Sequence, residues 1–354
     1  MPDVVDLLKT LIRFPSLTGK ETDVADYVER RARSAGVDVL RHEDNVAFGV
    51  GSGRDTLLLN SHLDVVPPAA SHPYDPFTPV TKQGVLYGRG SVDAKASGAA
   101  MTTALLRLAA DGWVPDGGRA VVGLTTHEEG GGSKNGLQDL RPHLPPLSAA
   151  VVGEPTALRP CVAQKGLLIL KIHTHGTAAH AARPHLGSNA ISAAADALHQ
   201  LAAVSFDRED PHLGPITKTV TTIEGGSARN TVPAHCVFVV DLRTTPAYSH
   251  DEIVAHIQAA VDADVTVHSD RLVPCATPPD ARIAHAARAA CPRPTAIGSS
   301  TTSDWVFLND VPTVKMGPGQ SPRSHTADER ISIAEVRCAV DVYQTLLQRY
   351  FGSH

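Results

Sequence analysis

Short apolar runs that stop at polar or glycine positions mark the first part of the chain. Three such runs, at residues 56–60, 120–124 and 149–152, are each followed within a few positions by acidic or histidine residues. Continuous apolar runs of this length are typical of strands that are buried on both faces of a sheet. These runs therefore predict interior strands of a layered fold.

Helical patterns alternate with these runs. The apolar spacing predicts helices over residues 3–13 and 94–108. Thr18 and Glu21 fit a capping box that opens a further helix, which runs to about Ala35. The alternation of strands and helices predicts an α/β fold with a parallel-rich sheet.

A second region has a different order of elements, βαββαβ. The strands are predicted at residues 167–175, 219–223, 236–243 and 265–267, and the helices at 190–203 and 251–261. This order is that of a compact α+β sandwich. The α/β pattern then returns, and a second capping box, from Ser332 to Glu335, opens a last helix. We predict one α/β catalytic domain, residues 1–166 and 275–354, with an α+β domain, residues 167–274, inserted into it.

The composition is ordinary for a globular enzyme. The 354 residues are 42% hydrophobic and 19% charged, with a formal net charge of −5. No basic patch indicates a nucleic-acid partner, and no apolar stretch approaches the roughly 20 residues that span a bilayer. The N-terminus has the pattern of an amphipathic helix, not of a signal peptide. The five cysteines include no CxxC pair, which argues against a disulfide framework and a cysteine zinc site. We expect a cytoplasmic protein.

Acidic and histidine residues lie where the predicted strands end and near two of the helices. They are His62, Asp64, Asp93, Glu128, Glu129, Glu154 and His325. Ligands bind at the carboxyl ends of strands in open α/β sheets, and carboxylate and imidazole are zinc ligands. Each residue alone is equally well explained as a surface acid or a core-edge histidine. The whole set predicts a two-metal site.

Eight segments, in this order along the chain, resemble one known family. They are SHLDVVP, YGRGSVDAK, THEEGG, GEPT, GTAAHAARPHLGSNAI, RNTVP, VVDLRTT and MGPGQSPRSHTADE. The chain resembles the dinuclear zinc amidohydrolases and peptidases of the M20 type. Within that family, HAAR, FVVDLRTTPAYS, SSTTSD and KMGPGQSPRSHTADE are most similar to the acetylornithine deacetylase branch. Ala94 and His127 replace the Met and Asp of many relatives, but neither departure removes a ligand.

The resemblance implies a ligand set for two zinc ions, with Co²⁺ as an alternative metal. Asp93 would bridge the ions, His62 and Glu154 would complete one site, and Glu129 and His325 would complete the other. Two cations so close together need a shared anion to offset their repulsion.

Three further residues would act beside the metals. The resemblance implies Glu128 as the general base that takes a proton from metal-bound water and returns it to the departing amine. Asp64, in an HxD pattern, can accept the second imidazole N–H of His62 and fix its tautomer. In the family, the histidine equivalent to His180 stabilises the oxyanion in the partner subunit's active site, which implies a homodimer through the inserted domain.

The substrate would be a small N-acyl amino acid. The fork of Arg243 suits its α-carboxylate, Asn230 would position the amide, and Asp304 could meet an ammonium. The first candidate is N-acetyl-L-ornithine, hydrolysed to L-ornithine and acetate as in arginine biosynthesis.

Two other classes of function stay open. The alternatives with the same metal centre are deacylation of acetylcitrulline, succinyl-ornithine or acetyl-lysine, and a dipeptidase or carboxypeptidase. A non-catalytic binding protein on the same fold is the third class. Loss of a ligand or of Glu128 would indicate that class, and here all of these residues are present.

Overall fold

The chain passes four times between two structural units. The structure is a computed structural model that describes residues 3–69, 71–130 and 134–352. The first unit contains the residues up to Val162, Ala276–Ile297 and the residues from Ser303 onward, and the second contains Ala163–Cys275 and Gly298–Thr302. The longer segment of the second unit, Ala163–Cys275, overlaps the predicted inserted domain, residues 167–274, and the limits of that domain stay a prediction. We predict that the inserted domain makes the interface of a homodimer and also closes over the substrate as a lid, and both roles stay predictions.

Strands and helices alternate through the described residues. The strands are β1 (Asp38–His42), β2 (Asn45–Gly51), β3 (Asp55–His62), β4 (Val80–Lys82), β5 (Val85–Tyr87), β6 (Gly118–Thr125), β7 (Ala149–Val152), β8 (Cys161–Gln164), β9 (Gly166–His175), β10 (Thr217–Gly225), β11 (His235–Thr244), β12 (Asp264–Leu272), β13 (Cys275–Ala276), β14 (Ile297–Ser299), β15 (Thr313–Lys315) and β16 (Arg330–Ser332). The helices are α1 (Val4–Arg13), α2 (Thr22–Ser34), α3 (Lys95–Ala110), α4 (Gly136–Leu140), α5 (Ala190–Ala203), α6 (His250–Ala260), α7 (Arg282–Ala290) and α8 (Ile333–Phe351). Over the ranges described, none of the helices is long and apolar enough to cross a membrane.

The large sheet confirms the predicted interior strands. Seven of its nine strands in the described part of the chain follow the order β1-β2-β6-β3-β7-β15-β8. At its centre β3 is parallel to both β6 and β7, and β7 is parallel to β15, while β1 and β2 pair in antiparallel fashion. Leu57, Leu58 and Leu59 are all fully buried, as expected of a strand covered on both faces.

Helix α3 is buried on nearly all sides, and it directly follows the loop that carries Asp93. It packs against α1, α8 and β3. Small residues allow this close packing, since a Cβ added to Gly98 would lie 3.2 Å from Leu124 Cδ2. The packing fixes the N-terminus of α3 near the carboxyl edge of the sheet.

The second unit has the predicted βαββαβ order. Its antiparallel sheet runs β10-β11-β9-β12. Along β9, buried residues such as Leu168, Leu170 and Ile172 alternate with partly exposed ones, because only one face of the sheet packs against α5 and α6. Helix α6 begins with a capping box formed by Ser249 and Glu252, which the sequence analysis missed.

Both predicted capping boxes are wrong, although the helices that they were expected to open are present. Helix α2 begins at Thr22, after Glu21 as N-cap, and α8 begins after Ser332. Neither N-cap residue makes a side-chain capping bond within the described structure. The carboxylate of Glu335 instead accepts the N–H of Gly319 at 2.9 Å. The side chains of Thr18 and Glu21 instead form hydrogen bonds with residues far along the chain, Asp64 and His127.

Candidate metal centre

The carboxyl ends of three neighbouring parallel strands place the predicted ligands. His62 is the last residue of β3. The pair Glu128 and Glu129 follows β6, and Glu154 follows β7. Because β3 lies between β6 and β7 in the sheet, these residues meet at one edge. Asp93 joins them from the loop before α3.

Asp93 lies between two groups of candidate ligands. Its Oδ1 is 3.3 Å from His62 Nε2, and that nitrogen is 3.7 Å from Glu154 Oε1. Its Oδ2 is 3.4 Å from His325 Nε2, which is 2.9 Å from Glu129 Oε1. Within each trio the possible ligand atoms all lie within 4.8 Å of one another. The structure thus brings together the five residues assigned as ligands, and their binding of metal stays a prediction.

The electrostatics of this cluster favour bound cations. Burial and then the carboxylate of Asp93 raise the pKa of Glu154 to about 8. Hydrogen bonds to Asp93 and Glu129 raise the pKa of His325 to about 10. Burial acts to lower the pKa of His62, but hydrogen bonds to Asp64 and Asp93 outweigh it and raise that pKa well above its usual value. The cluster therefore retains protons that divalent cations could replace, and its nitrogen and oxygen donors fit zinc.

The main-chain oxygen of Asp64, more than its carboxylate, orients His62. The Nδ1 atom of His62 is 3.0 Å from that oxygen and 3.5 Å from the Asp64 Oδ1 atom. The N–H on Nδ1 donates to the main-chain oxygen, which leaves Nε2 free to bind metal. This is the tautomer that the sequence predicted, with the proton on Nδ1, but the acceptor is the main-chain oxygen of Asp64 and not its carboxylate.

The carboxylate of Asp64 instead holds the two glutamates in place. Its Oδ1 accepts the N–H of Glu128 at 3.1 Å, and its Oδ2 accepts the N–H of Glu129 at 3.0 Å and the hydroxyl of Thr18 at 2.8 Å. His127, just before them, has a φ of 58°, and Glu21 accepts its N–H at 3.2 Å. No local sequence pattern indicates these bonds, because each joins residues far apart in the chain.

The carboxylate of Glu128 also faces the cluster. One of its oxygens lies within 4.8 Å of possible ligand atoms of His62 and Glu129. Burial raises the pKa of Glu128 well above its usual value, and the carboxylates of Glu154 and Glu129 add to the effect. A carboxylate with a raised pKa is suited to accept and hold a proton.

A buried ion pair orders the loop that carries Asp93. The Glu329 carboxylate accepts the N–H groups of Gly90, Val92 and Asp93 at 3.1, 2.8 and 3.1 Å. Arg89 Nη1 donates to the same carboxylate at 2.7 Å, and both side chains are almost completely buried. Both residues lie in segments that resemble the family, Arg89 in YGRGSVDAK and Glu329 at the end of the segment with His325, but nothing in the sequence indicates that they pair.

Comparison with known proteins agrees with this geometry. Residues 58–349 match peptidase family M20/M25/M40. The chain belongs to this family. The predicted M20 resemblance is therefore confirmed, and the protein is a hydrolase that acts on amide bonds.

Relatives of this M20 protein match it along nearly the whole chain. A succinyl-diaminopimelate desuccinylase from Dinoroseobacter shibae is 30% identical over 99% of this chain and 100% of its own length. The aminopeptidase PepT from Bacillus cereus has a similar fold, with a TM-score of 0.81 at 21% identity and 98% coverage of each chain. A dinuclear metal-binding M20 peptidase from Bacillus subtilis has a TM-score of 0.74 at 14% identity, covering 97% of this chain and 96% of its own. These relatives do not confirm the acetylornithine deacetylase branch.

Asp304 of the M20 protein is buried, with 2% of its surface exposed. Its Oδ1 accepts the amide of Asn135 at 2.7 Å, and its Oδ2 accepts the hydroxyl of Thr125 at 3.2 Å. Burial raises the pKa of Asp304 to about 6. This placement favours a role in holding the segment after β6, whereas the predicted contact with a substrate ammonium stays untested.

The other predicted residues lie in the second unit. Arg243, in β11, donates to both oxygens of Asp241, at 2.9 and 3.2 Å. His180 accepts the N–H of Ala182 through Nδ1 at 3.0 Å, and the main-chain oxygen of Asn230 accepts the N–H of Ala181 at 2.9 Å. His180 and Asn230 thus lie on adjoining segments, and their roles and that of Arg243 stay predictions.

Proposed function

We propose that this M20 enzyme hydrolyses the amide bond of an N-acyl amino acid at a centre of two zinc ions. The observation that carries the proposal is the sharing of Asp93 between two ligand trios, with Glu128 beside them. A shared carboxylate between two cations is typical of two-metal hydrolytic centres. Membership of a peptidase family and relatives named desuccinylases support the amide substrate.

The residues around the metals divide the chemistry between them. Bound zinc would polarise the scissile carbonyl and lower the pKa of the attacking water to roughly 7. Glu128 takes a proton from that water while the water oxygen forms a bond to the carbonyl carbon. Glu128 then gives the proton to the amide nitrogen as the carbon–nitrogen bond breaks. Glu128 lies beside the proposed ligands His62 and Glu129, so it can hold the proton between the two steps.

Asp64 keeps the base and a ligand in a fixed relation. Its carboxylate bonds the main-chain N–H groups of Glu128 and Glu129 through its two oxygens. Displacement of either glutamate would therefore break a hydrogen bond to a buried charged group, which is unfavourable. We infer that this contact holds Glu128 in place for proton transfer during each turnover.

N-acetyl-L-ornithine is the substrate that we propose from the sequence segments of the acetylornithine deacetylase type. A second candidate is an N-succinyl diaminopimelate. It is favoured by several relatives named for its desuccinylation, which are 27–30% identical over almost the full chain. Both substrates carry an α-carboxylate that the guanidinium of Arg243 could bind.

Amine release from a substrate panel at fixed zinc loading tests the proposal. The panel contains N-acetyl-L-ornithine, N-succinyl-L,L-diaminopimelate, N-acetylcitrulline, N-succinyl-ornithine, N-acetyl-lysine and several dipeptides. A preference for one N-acyl amino acid supports the proposal and identifies the acyl group. A preference for dipeptides would keep the metal centre but overturn the deacylase assignment.

A further inference from the structure

We propose that residues 11–21, which we call the N-terminal strap, position the metal centre, with Thr18 as a positioning residue for Glu128 and Glu129. This inference rests on the proposed function. The strap lies before residues 58–349, the part of the chain that matches the family. Within the first unit it contacts three of the segments that carry the predicted ligands and base.

Thr18 makes the contact nearest to the chemistry. Its hydroxyl donates to Asp64 Oδ2 at 2.8 Å, the same oxygen that accepts the N–H of Glu129. The other carboxylate oxygen accepts the N–H of Glu128 at 3.1 Å. The hydroxyl of Thr18 thus helps to fix the rotation of the carboxylate on which both glutamates depend.

Shape also ties Thr18 to the turn that carries the glutamates. A Cβ added to Gly130, the next residue after the pair, would lie 2.9 Å from the Thr18 methyl group. The main chain therefore passes directly against Thr18. The substitution Thr18→Val would keep this packing and remove only the hydroxyl. It therefore separates the contribution of the hydrogen bond from that of the packing.

Two further strap residues contact the same two segments as Thr18. Ser16 bonds the loop after His62, and Glu21 bonds the turn before Glu128. The Ser16 hydroxyl donates to the main-chain oxygen of Leu63, between His62 and Asp64, at 2.7 Å, and the main-chain oxygen of Ser16 accepts the N–H of Val65 at 2.9 Å. Glu21 accepts the N–H of His127 at 3.2 Å. Both strap side chains are almost fully buried.

The start of the strap anchors the helix that follows Asp93. The Lys95 ammonium is fully buried and donates to the main-chain oxygens of Leu11 and Phe14 at 2.9 and 2.8 Å. One short stretch of chain therefore braces the loop at His62, the turn at Glu128 and the start of α3. Partners that orient metal ligands in this way typically change metal affinity or activity 10–100-fold when they are removed.

The test compares three variants, Thr18→Val, Thr18→Ser and Thr22→Val. Thr22 is the matched control, because its hydroxyl also donates to an aspartate carboxylate, that of Asp44, at 2.7 Å, but on the exposed surface. Zinc affinity is measured by competition of the purified full-length protein with a chromophoric chelator, and kcat and KM are measured with the best substrate of the panel.

We expect Thr18→Val to weaken zinc binding and lower kcat by about tenfold or more, with KM unchanged. Thr18→Ser keeps the hydroxyl and loses only the methyl group, so both values should lie closer to those of the wild type than in Thr18→Val, and Thr22→Val matches the wild type. Equal zinc affinity and kcat in Thr18→Val and the wild type would overturn the proposal, as would values for Thr18→Ser no better than those for Thr18→Val.

A second variant keeps the test decisive if Thr18→Val does not fold. Ser16→Ala removes one hydroxyl from the same strap, and we expect it to weaken zinc binding in the folded protein; unchanged zinc affinity would overturn the proposal. The zinc measurement needs no substrate. A wild type that binds zinc but cleaves no amide would therefore contradict the proposed function, while the zinc affinities would still decide the role of the strap.

Discussion

Glu128 and Glu129 are neighbours in the chain, but Glu129 belongs to a trio of possible ligands that does not include Glu128. The Oε1 atom of Glu129 lies 2.9 Å from His325 Nε2, and both glutamates are grouped with His62. Both residues donate their main-chain N–H groups to Asp64. The shared anchor fixes the backbone of both residues, so one carboxylate can bind metal while the other accepts a proton.

Replacing Glu128 with glutamine separates catalysis from metal binding. The amide keeps the shape of the side chain but cannot accept the proton from water. We expect kcat to fall by about 10²–10⁴-fold, with unchanged zinc content by elemental analysis. Glu129→Gln serves as the contrasting variant, since it should weaken zinc binding itself. Activity retained by Glu128→Gln would remove Glu128 as the base.

Substitution of Asp304 distinguishes a positioning role from a substrate contact. Asp304→Ala leaves the buried donors of Asn135 and Thr125 without their acceptor, so we expect a loss of about 1–3 kcal/mol in the free energy of unfolding. Asp304→Asn keeps one acceptor and should lose less. Both variants should keep the KM of the wild type for substrates with an ammonium group. A large rise in KM for those substrates alone would instead support the predicted substrate contact.

At the scale of elements, the sequence predicted the parts that depend on local pattern. The three apolar runs became β3, β6 and β7. His62 ends β3, Glu129 follows β6 and Glu154 follows β7. The capping boxes failed for a physical reason. Thr18 has the right residue type and spacing for a cap, but its hydroxyl bonds Asp64, which lies 46 positions away in the chain. A single sequence carries no signal for such a partner.

The loop of Asp93 shows the same limit of local pattern. Glu329 and Arg89 are 240 positions apart, so neither residue indicated the other. Asp93 itself was predicted because it precedes a helix and because its segment resembles the family. Residues proposed to bind metal or to transfer a proton could thus be identified from the sequence, whereas the residues that position them could be identified only from the structure.

Replacing Glu329 with glutamine tests how the loop is ordered. The main-chain N–H groups of the loop donate to both carboxylate oxygens of Glu329. In Glu329→Gln some of them would face an amide NH₂ group, and the buried Arg89 would lose its counter-ion. We expect a loss of about 3 kcal/mol in the free energy of unfolding of the metal-free protein, measured with urea. Glu335→Gln is the matched control, because Glu335 accepts one N–H, from Gly319, and its substitution should cost much less. Equal losses in the two variants would contradict this account.

At the scale of the whole molecule, the predicted residues divide between the two units. The five proposed ligands, Asp64, Glu128 and Asp304 belong to the first unit, and His180, Asn230 and Arg243 belong to the second. The chain leaves the first unit after Val162 and returns to supply His325. All five proposed metal ligands therefore lie within one unit.

Mixing two inactive variants tests the homodimer that the role of His180 implies. His180→Ala and Glu128→Gln should each be nearly inactive. If His180 serves the partner subunit, a mixed dimer contains one intact site, so an equal mixture that exchanges subunits should regain about a quarter of wild-type activity. A mixture that stays inactive despite subunit exchange, followed by sedimentation, would contradict a role in the partner's site.

The protonation of the ligands predicts how zinc binding depends on pH. The pKa values of Glu154, about 8, and His325, about 10, both lie above 7. Both groups therefore carry protons at pH 7 in the metal-free protein, and zinc must displace them. Protons compete with the metal, so zinc affinity should rise as the pH rises from 6 to 8. Competition with a chelator across this range checks the sign, and an affinity that falls would contradict it.

Calorimetric titration of the metal-free protein with zinc at pH 7, repeated in two buffers of different ionisation enthalpy, tests the central claim most directly. The shared position of Asp93 predicts two zinc ions per chain, and the raised pKa values predict net release of protons. In Asp93→Asn, both sites should weaken together, because both trios include this carboxylate. A single zinc per chain, or binding that is unaffected by Asp93→Asn, would contradict a centre in which Asp93 bridges two metals.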